Sequence, residues 1–295
     1  MFFKYSMKSN LIIIFIILLF PFLVHSQETQ INIDTVIYKN IGNTSLILKV
    51  FYPNQIEKLQ KHSAIVFYSG GGFVSSYIKQ FEQQASYFAQ RGMICFLADY
   101  RVKNRDGTSI LECIMDAKSA IRYIREHAEK FNLDENKIVA AGGSAGGYLA
   151  VANALIPNYD DPQDNFLIST KPNALILFNP IIDLGPGFVS GYEKFSGDEY
   201  KEMSPLHNIM KDAPPTIMFF GTKDYYVPIE TAKYYKLVME AVGSRCDLFF
   251  YEDQKHGFFN FETSPEHYYK TIYEADKFLT SLGFLKDDPI IVKEN

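Results

Sequence analysis

Apolar runs of strand length alternate with longer amphipathic stretches along most of the chain. The runs AIVFY at residues 64–68 and ALILF at residues 174–178 are apolar at every position. Residues 110–131, in contrast, repeat their apolar positions at helical spacing. Strands that are apolar on both faces and are separated by helices predict a mostly parallel sheet, covered by helices on both sides.

The full pattern predicts one α/β domain with about eight strands. The first two strands have no helix between them, which indicates an antiparallel edge. Residues 183–213 combine weak periodicity with many Gly, Pro and Ser residues, and we interpret them as a cap-like insertion rather than a second domain. The predicted strands are residues 31–39, 46–52, 64–68, 93–100, 137–141, 174–178, 216–220 and 247–251, and the predicted helices are residues 78–90, 110–131, 145–155, 228–242 and 267–282.

The N-terminal residues follow a different pattern, which is typical of a secretory signal peptide. Two lysines precede a nearly unbroken apolar run at residues 11–24, and compact residues lead into a cleavage position before Gln27. The run has 14 residues, whereas a membrane-spanning helix needs ~20. We therefore predict a transient signal peptide over residues 1–26 and a secreted or periplasmic domain over residues 27–295, with an uncleaved membrane anchor as the alternative.

Composition and charge narrow the function classes. The chain has 295 residues, of which 47% are hydrophobic and 21% are charged, so it can bury a large core and is not a disordered chain. Removal of residues 1–26, which contain two lysines and no acidic residue, leaves 27 basic and 34 acidic residues and a net charge of −7. An acidic chain without a basic surface argues against nucleic acid as a partner.

The three cysteines also lack the spacing of a metal site. Cys95, Cys113 and Cys246 all lie in segments that are predicted to pack in the core, without CxxC or Cys/His spacing. We predict three buried free thiols, with a single disulfide as the alternative in an exported protein.

Candidate chemistry begins at a glycine-rich turn. Residues 142–146, GGSAG, fit the pattern G-x-S-x-G and lie between a predicted strand and a predicted helix. A sharp strand-to-helix turn raises the hydroxyl of Ser144 above the sheet, and small neighbours relieve the crowding. The N–H of Ala145, at the start of the helix, then points toward developing negative charge. The alternative is a turn that only packs a helix close to a strand.

A nucleophilic serine needs a histidine that accepts its proton and an acid that orients the histidine. In sheets with this kind of serine turn, the acid and then the histidine follow the serine along the chain. His256 comes directly after the last predicted strand, and Asp224 follows the strand TIMFFG. The carboxyl ends of such strands are where open α/β sheets place their sites, so we predict Asp224 and His256 as the partners of Ser144.

Other histidines and acids remain as rivals. His207 can pair with Asp183, although His207 follows no sheet strand. His267 starts an amphipathic pattern and is interpreted as a helix-surface residue. Asp253 is the second choice of acid, because it lies only three residues before the predicted histidine and is less able to face it.

A second glycine-rich segment, SGGGF at residues 69–73, follows the third predicted strand. Consecutive glycines allow backbone N–H groups to turn inward without a side chain that blocks the substrate. The loop after the third strand is where the second half of an oxyanion hole is expected. The alternative is a flexible turn without function.

The motifs together resemble the α/β-hydrolase superfamily, in particular the HGGG-type esterase/lipase group, over about residues 65–282. Within that group the chain looks most like secreted bacterial esterases that act on acetyl groups of xylan and related plant or algal polysaccharides. The motifs that carry the resemblance are SGGGF (69–73), DYR (99–101), DAKSAIRYIREHA (116–128), GGSAGG (142–147), NPIIDL (179–184), GTKDYYVP (221–228) and HGFF (256–259).

The resemblance implies an α/β-hydrolase fold and assigns roles to individual residues. Ser69 stands where the family has the histidine of HGGG, which normally helps to hold the glycine loop. Asp99 and Arg101 match a family pattern that we interpret as structural, with ion pairs that support the glycine loop or helix ends. The implied triad is Ser144, Asp224 and His256, and the implied oxyanion hole consists of the N–H groups of Gly71, Gly72 and Ala145.

The chain is rich in aromatic residues, with 25 Phe and 20 Tyr but no Trp. Many of them lie in predicted core strands, where packing explains them. A further group lies beside the proposed site. From this group we predict that Phe73, Tyr225 and Phe258 contact the substrate, as the wall of an acyl pocket or as a stacking surface for a sugar or aryl group. Ordinary loop packing is the alternative.

The sequence therefore predicts a secreted serine ester hydrolase that removes small acyl groups, such as acetyl, from a carbohydrate or another short-chain ester. Its substrate is a small-molecule or polysaccharide ester, and the mechanism needs no metal or organic cofactor. A lipase is one alternative, but it is expected to have a more apolar lid than residues 183–213 provide. A peptidase of the prolyl-oligopeptidase type is a second, although such enzymes need a large accessory domain. A non-enzymatic binding protein on this fold is a third, although such proteins usually lose a triad member.

Overall fold

The computed structural model describes Met1 and residues 31–54, 60–185 and 200–291. Apart from Met1, the predicted signal peptide lies outside the described residues, as do residues 186–199 of the predicted insertion. Across the part of the chain that the structure describes, none of the helices combines the length and the apolar character that crossing a bilayer requires.

Eight strands form one sheet in the order β1-β2-β4-β3-β5-β6-β7-β8. The pairs β1–β2 and β2–β4 are antiparallel, and all other neighbouring pairs are parallel. The prediction of a mostly parallel sheet with an antiparallel edge is therefore confirmed. The strands are β1 (Asn32–Ile41), β2 (Thr44–Tyr52), β3 (His62–Tyr68), β4 (Ile94–Ala98), β5 (Leu133–Gly143), β6 (Ala174–Phe178), β7 (Thr216–Gly221) and β8 (Cys246–Tyr251).

Helices cover both faces of the sheet, because the central strands are apolar on both sides. The described helices are α1 (Glu82–Gln90), α2 (Lys103–Asp106), α3 (Ile110–Glu126), α4 (Ala145–Leu155), α5 (Tyr200–Met203), α6 (Ile229–Ala241) and α7 (Pro265–Ser281). Helices α1 and α7 pack in one core layer. Helices α3, α4 and α6 pack in the other. The predicted covering of both faces is confirmed.

Two predicted helices differ at one end. The segment predicted as a helix from residue 78 begins with a 3₁₀ turn over Ile78–Phe81 and continues as α1. Helix α3 ends at Glu126, before the predicted end at residue 131, although Ala128 and Phe131 are buried. These two apolar residues extend the helical pattern because they pack in the core from a turn.

The described part of the predicted insertion contains short helical pieces that pack beside α4. Helix α5 is followed by a 3₁₀ turn over Pro205–Asn208. The hydroxyl of Tyr148, on α4, donates to the carbonyl of Met203 at 2.9 Å. This contact attaches the segment to the helix that follows the glycine-rich turn.

Two charged residues after β4 hold neighbouring helices in place. Arg101 donates through Nε to Asp116, on α3, at 2.8 Å. Asp99 accepts from Arg105, on α2, at 2.9 Å. Both residues therefore form ion pairs with helices rather than with each other, which is the structural role expected for them.

All three cysteines are buried and free. The prediction of buried free thiols is confirmed, and the alternative of one disulfide is wrong. The segments around them are core strands or the buried face of α3, where each sulfur packs among apolar side chains.

Candidate active site

Ser144 occupies the sharp turn between β5 and α4. Its backbone angles, φ 54° and ψ −119°, lie in a region that residues with a β-carbon rarely adopt. Three backbone hydrogen bonds hold the residue there. Its N–H donates to the carbonyl of Phe178 at 2.9 Å, and its own carbonyl accepts from the N–H groups of Tyr148 at 3.0 Å and Ile181 at 3.1 Å. The serine is thus fixed at the carboxyl end of the sheet's central strands.

Glycines flank the serine because other backbone atoms approach them closely. A β-carbon on Gly146 would lie 2.0 Å from the carbonyl oxygen of Tyr68, at the end of β3. A β-carbon on Gly142 would lie 2.4 Å from the carbonyl carbon of Gly146. Both distances are far inside van der Waals contact, so these positions allow α4 to pack directly on β3 and β5. The glycine-rich turn is required by its packing, whatever its chemistry.

Asp224 and His256 meet at the carboxyl ends of β7 and β8. His256 Nδ1 and Asp224 Oδ2 are 2.7 Å apart, a short hydrogen bond. The Asp224 side chain is fully buried, whereas 21% of the His256 side chain is exposed. The aspartate therefore lies behind the histidine and leaves the opposite ring nitrogen, Nε2, toward the open side.

The Asp224 carboxylate is held in its charged form. Burial by itself raises the pKa of this carboxyl, but the hydrogen bond from His256 and its charge lower the pKa, as do the N–H groups of Tyr226 and Val227. The net result is a pKa below the ordinary value of an aspartate. The N–H of Tyr226 donates to Oδ1 at 2.8 Å and that of Val227 at 3.2 Å. An aspartate that stays ionised can orient the histidine and stabilise its protonated form.

A close contact between the loops after β7 and β8 brings the two residues together. The N–H of Lys223 donates to the carbonyl of Gln254 at 2.9 Å. A β-carbon on Gly221 would lie 2.3 Å from the same oxygen. Glycine at this position lets the histidine-bearing loop (residues 252–260) cross directly over the end of β7.

Asn179 is a contact of Asp224 that the sequence analysis used only to end a strand. It follows β6 with a φ of 43° and is fully buried. Its N–H donates to the carbonyl of Phe219 at 2.8 Å, and its side-chain amide donates to Asp224 Oδ2. Asn-Pro directly after a buried strand, at the same edge as the serine and the aspartate, is the signal that could have identified it.

The glycine loop (residues 69–73) passes beside Ser144. A β-carbon on Gly70 would lie 3.4 Å from that of Ser144. Gly71 and Gly72 have positive φ angles of 136° and 62°, and a β-carbon on Gly71 would overlap the carbonyl oxygen of Ser75 at 1.9 Å. Among the described residues we find no acceptor for the N–H groups of Gly71 and Gly72. The loop therefore presents unpaired N–H groups close to the serine.

Ala145 supplies a third N–H group at the same place. It is the first residue of α4, and N–H groups in the first turn have no acceptor within the helix. The positive end of the α4 dipole is also at this position.

The serine in place of the family histidine does not itself hold the glycine loop. The Ser69 hydroxyl is buried and has no hydrogen-bond partner among the described residues. The hydroxyl of Tyr100 donates to the Ser69 carbonyl at 2.6 Å. The side-chain oxygen of Gln80 accepts from the N–H of Gly70 at 2.7 Å. A tyrosine and a glutamine thus hold the loop from its two sides.

Ser144, His256 and the glycine loop line one cavity of about 880 Å³. Apolar and aromatic side chains form much of the wall, namely those of Val74, Tyr77, Ile181, Tyr226 and Phe259. Polar and charged side chains form the rest. The polar and charged side chains in this wall are Ser75, Ser76, Lys79, Gln80, Glu82, Gln83, Asn260, Glu262 and Thr263. A substrate that combines a small apolar part with a hydroxylated part matches such a lining.

The predicted aromatic contacts of the substrate need correction. Phe73 and Phe258 are almost completely buried, so their prediction as substrate contacts is wrong. Phe73, with a φ of 62°, packs its ring edge-on against that of Tyr148, with the ring centroids 5.2 Å apart. Tyr225 is 79% exposed but does not line the described cavity. Its neighbour Tyr226 does.

The rival residues lie elsewhere. His207 Nδ1 and Asp183 Oδ1 are 3.9 Å apart, too far for a hydrogen bond, and neither residue lines the described cavity. Asp253 pairs with the exposed Lys223 at 2.7 Å instead of facing the histidine. His267 lies in the first turn of α7, as expected, with its Nδ1 2.8 Å from the Ser264 hydroxyl. None of the three brings a histidine to the serine.

Comparison with known proteins gives a consistent result. A family model described as BD-FAE matches residues 48–186. An acetylxylan esterase of Xylanibacter ruminicola is 27% identical over 242 residues, which are 78% of this chain and 48% of that protein. The chain spans about half the length, or less, of the first relatives that it matches by sequence.

Two solved structures are more similar. Thermogutta terrifontis esterase 2, phosphorylated by paraoxon, is 41% identical, with a TM-score of 0.81 over 87% of this chain and 96% of that chain. A propionate-bound structure of a thermophilic esterase from the same organism is 40% identical, with a TM-score of 0.82 over 88% of this chain and 98% of that chain.

Proposed function

Because the chain belongs to the esterase group of the α/β-hydrolases, we propose that it hydrolyses carboxylic esters, with Ser144, His256 and Asp224 as its catalytic triad. One observation carries this proposal. Ser144 and His256 line the same cavity, and Asp224 is buried behind the histidine at 2.7 Å.

The proposed reaction is a two-step acyl transfer. The Ser144 hydroxyl attacks the ester carbonyl while Nε2 of His256 takes its proton, and Asp224 stabilises the imidazolium that forms. The histidine then donates this proton to the leaving alcohol, and the acyl-enzyme remains. Water attacks the acyl-enzyme with His256 again as the base, and the acid is released from a regenerated serine.

The negative charge that develops on the carbonyl oxygen needs hydrogen-bond donors. We assign this role to the N–H groups of Gly71, Gly72 and Ala145. The first two have no acceptor among the described residues, and the third begins helix α4. Each such donor is typically worth ~10²–10³ in turnover, because it acts on charge that exists only in the transition state.

The substrate class that the cavity supports best is a short acyl group on a hydroxylated alcohol. Part of the wall carries polar side chains, among them those of Lys79 and Thr263, with which a sugar can form hydrogen bonds. The relatives that point the same way are an acetylxylan esterase and an esterase with propionate bound. We propose an acetyl esterase for carbohydrate or similar small esters. From the N-terminal pattern we also propose that the protein is exported. N-terminal sequencing of the mature protein tests this, with Gln27 as the expected first residue.

Two measurements test the assignment. Purified Ser144→Ala should lose almost all hydrolysis of p-nitrophenyl acetate and should no longer react with a fluorophosphonate probe, because no nucleophile remains. A variant that hydrolyses this ester at the parent rate would contradict the proposal. The substrate class is tested by comparing the hydrolysis of acetylated xylan, feruloyl esters, p-nitrophenyl esters of two to twelve carbons and a triglyceride. A preference for long-chain triglycerides would overturn the acetyl assignment.

A further inference from the structure

Two amide side chains in the cavity wall connect the glycine loop with the histidine-bearing loop. Gln80, just before α1, accepts from the N–H of Gly70 at 2.7 Å. Its side-chain nitrogen donates to the side-chain oxygen of Asn260 at 3.1 Å. The side-chain nitrogen of Asn260 donates to the carbonyl of Gly257 at 2.8 Å. We call the pair of side chains Gln80 and Asn260 the amide bridge.

The direction of every hydrogen bond in the amide bridge is fixed. The N–H of Gly70 can only donate, so Gln80 must present its oxygen to it. The Gln80 nitrogen then faces Asn260, which must present its own oxygen and thereby turn its nitrogen to the Gly257 carbonyl. A substitution of either residue therefore removes a defined hydrogen-bond donor or acceptor from the amide bridge.

One end of the amide bridge contacts the glycine loop beside Ser144. The Ser69 hydroxyl has no partner among the described residues, so Gln80 is the side chain that pairs with the loop at Gly70. A β-carbon on Gly70 would lie 3.1 Å from the Gly143 carbonyl and 3.4 Å from Cβ of Ser144. A movement of Gly70 would therefore displace the next two N–H groups in the chain relative to the serine.

The other end contacts the turn that follows the histidine. Gly257 follows His256 directly and has a φ of 81°. Its carbonyl accepts from both the backbone N–H of Asn260, at 3.1 Å, and the side chain of Asn260. Asn260 thus closes the turn that presents the imidazole to the cavity.

We propose that the amide bridge positions the oxyanion-binding N–H groups and the catalytic base relative to each other. Gln80 and Asn260 are positioning residues, because each acts through a loop and not on the reacting atoms. The inference rests on the proposed function, since it concerns the same serine site. Its physical basis is that catalysis requires both sets of groups to reach the substrate carbonyl in one geometry.

Single substitutions test each half of the amide bridge. Gln80→Ala and Asn260→Ala should each lower kcat for p-nitrophenyl acetate by about 10- to 100-fold, because small misplacements of catalytic groups have effects of this size. KM should stay within about twofold, since the oxyanion contacts act on the transition state. Gln80→Glu keeps the acceptor for Gly70 but removes the donor for Asn260, so its kcat should fall between the parent and Gln80→Ala.

A double-mutant cycle tests whether the two residues act as a unit. If they do, Gln80→Ala combined with Asn260→Ala should cost no more in kcat than the larger single effect. Rates are expressed per site titrated by paraoxon, so that misfolded protein does not count. The control is Gln90→Ala, an exposed glutamine at the far end of α1, which should turn over like the parent.

Three results would overturn the inference: an unchanged kcat per titrated site in both single variants, additive effects in the double variant, or a Gln80→Glu variant with the parent rate. If Gln80→Ala yields no titratable sites, the Gln80→Glu and Asn260→Ala variants decide. The Ser144→Ala variant separates a failure of the amide-bridge proposal from a failure of the proposed function. An inactive Ser144→Ala together with fully active bridge variants rejects the amide bridge alone.

Discussion

At the scale of single residues, the site depends on backbone conformations that the surrounding structure imposes. Ser144 and Asn179 both have positive φ angles and follow the neighbouring strands β5 and β6. Such conformations cost of order 1–3 kcal/mol each and persist only where other contacts hold them. Here, the backbone hydrogen bonds to Phe178 and Phe219 hold the two residues. The serine was predicted from its motif, whereas the role of the asparagine needed the fold.

Asn179 should contribute to activity through Asp224. We expect Asn179→Ala to lower kcat/KM for p-nitrophenyl acetate by about 10- to 100-fold, because a hydrogen bond to a charged group is worth about 1.5–3 kcal/mol. Steady-state kinetics at neutral pH measures the effect, with circular dichroism as the check on folding. An Asn179→Ala variant that folds and retains full activity would remove the asparagine from the site.

Asp224 should make the stability of the protein depend on pH. Its pKa in the folded state is lowered below 3.8, so the unfolded state binds the proton more tightly. The ionised carboxylate therefore stabilises the folded state above about pH 3.8, and this stabilisation is lost as the pH falls below that value. The difference in unfolding free energy between the parent and Asp224→Asn should shrink over this acidic range.

Urea denaturation of the parent and Asp224→Asn at a series of pH values measures that difference. Circular dichroism at each pH establishes that both proteins are folded before urea is added. A difference that stays constant from neutral pH down to pH ~3 would show that the carboxylate contributes no pH-linked stability.

At the scale of elements, the site forms where strand ends meet. The loops after β3, β5, β7 and β8 carry the glycine loop, the serine, the aspartate and the histidine. Parallel strands place their carboxyl ends at one edge of a sheet, so the order of strands alone brings these loops together. Close backbone contacts at glycines then set the distances between them.

Gly146→Ala should show the importance of one such contact. In an exposed helix, alanine in place of glycine stabilises by about 1 kcal/mol. At Gly146, however, the new β-carbon would lie 2.0 Å from the Tyr68 carbonyl, so we expect destabilisation by about 1–3 kcal/mol or more. Chemical denaturation gives the sign directly, and a more stable variant would mean that α4 can move away from β3.

The sequence predicted the elements better than the contacts between them. ALILF and TIMFF became core strands, because a strand that is apolar at every position has to be buried on both faces. The catalytic candidates followed from motif and chain order. Phe73 and Phe258 could not be assigned correctly, because a single φ angle or a turn decides whether a loop side chain faces the core or the cavity. The amide bridge joins residues 180 positions apart, beyond any local pattern.

At the scale of the whole molecule, the sheet separates two apolar layers and each contains buried cysteine. Cys95 lies in the layer with α1 and α7, and Cys113 and Cys246 lie in the other. Burial raises the pKa of all three thiols, that of Cys246 to about 12, so they stay protonated at neutral pH. A protonated and inaccessible thiol reacts slowly.

The three thiols should therefore report global unfolding. We expect Ellman's reagent to leave the native protein almost unlabelled at neutral pH and to titrate three thiols in denaturant. Labelling of one thiol under native conditions would reveal local opening of the layer that contains it. The Cys246→Ser variant is the control that identifies the signal of the β8 thiol. In denaturant, the reagent should titrate two thiols in this variant.

The free thiols also mean that this chain can reach its native state without forming a disulfide. Its fold is held by apolar packing and hydrogen bonds, with no covalent cross-link between its cysteines. Folding consequently requires neither an oxidant nor a catalyst of disulfide exchange. We therefore expect the same native structure to form in a reducing cytosol and in an oxidising exterior. A version without residues 1–26, the predicted signal peptide, should fold inside an ordinary bacterial host without a redox-engineered strain.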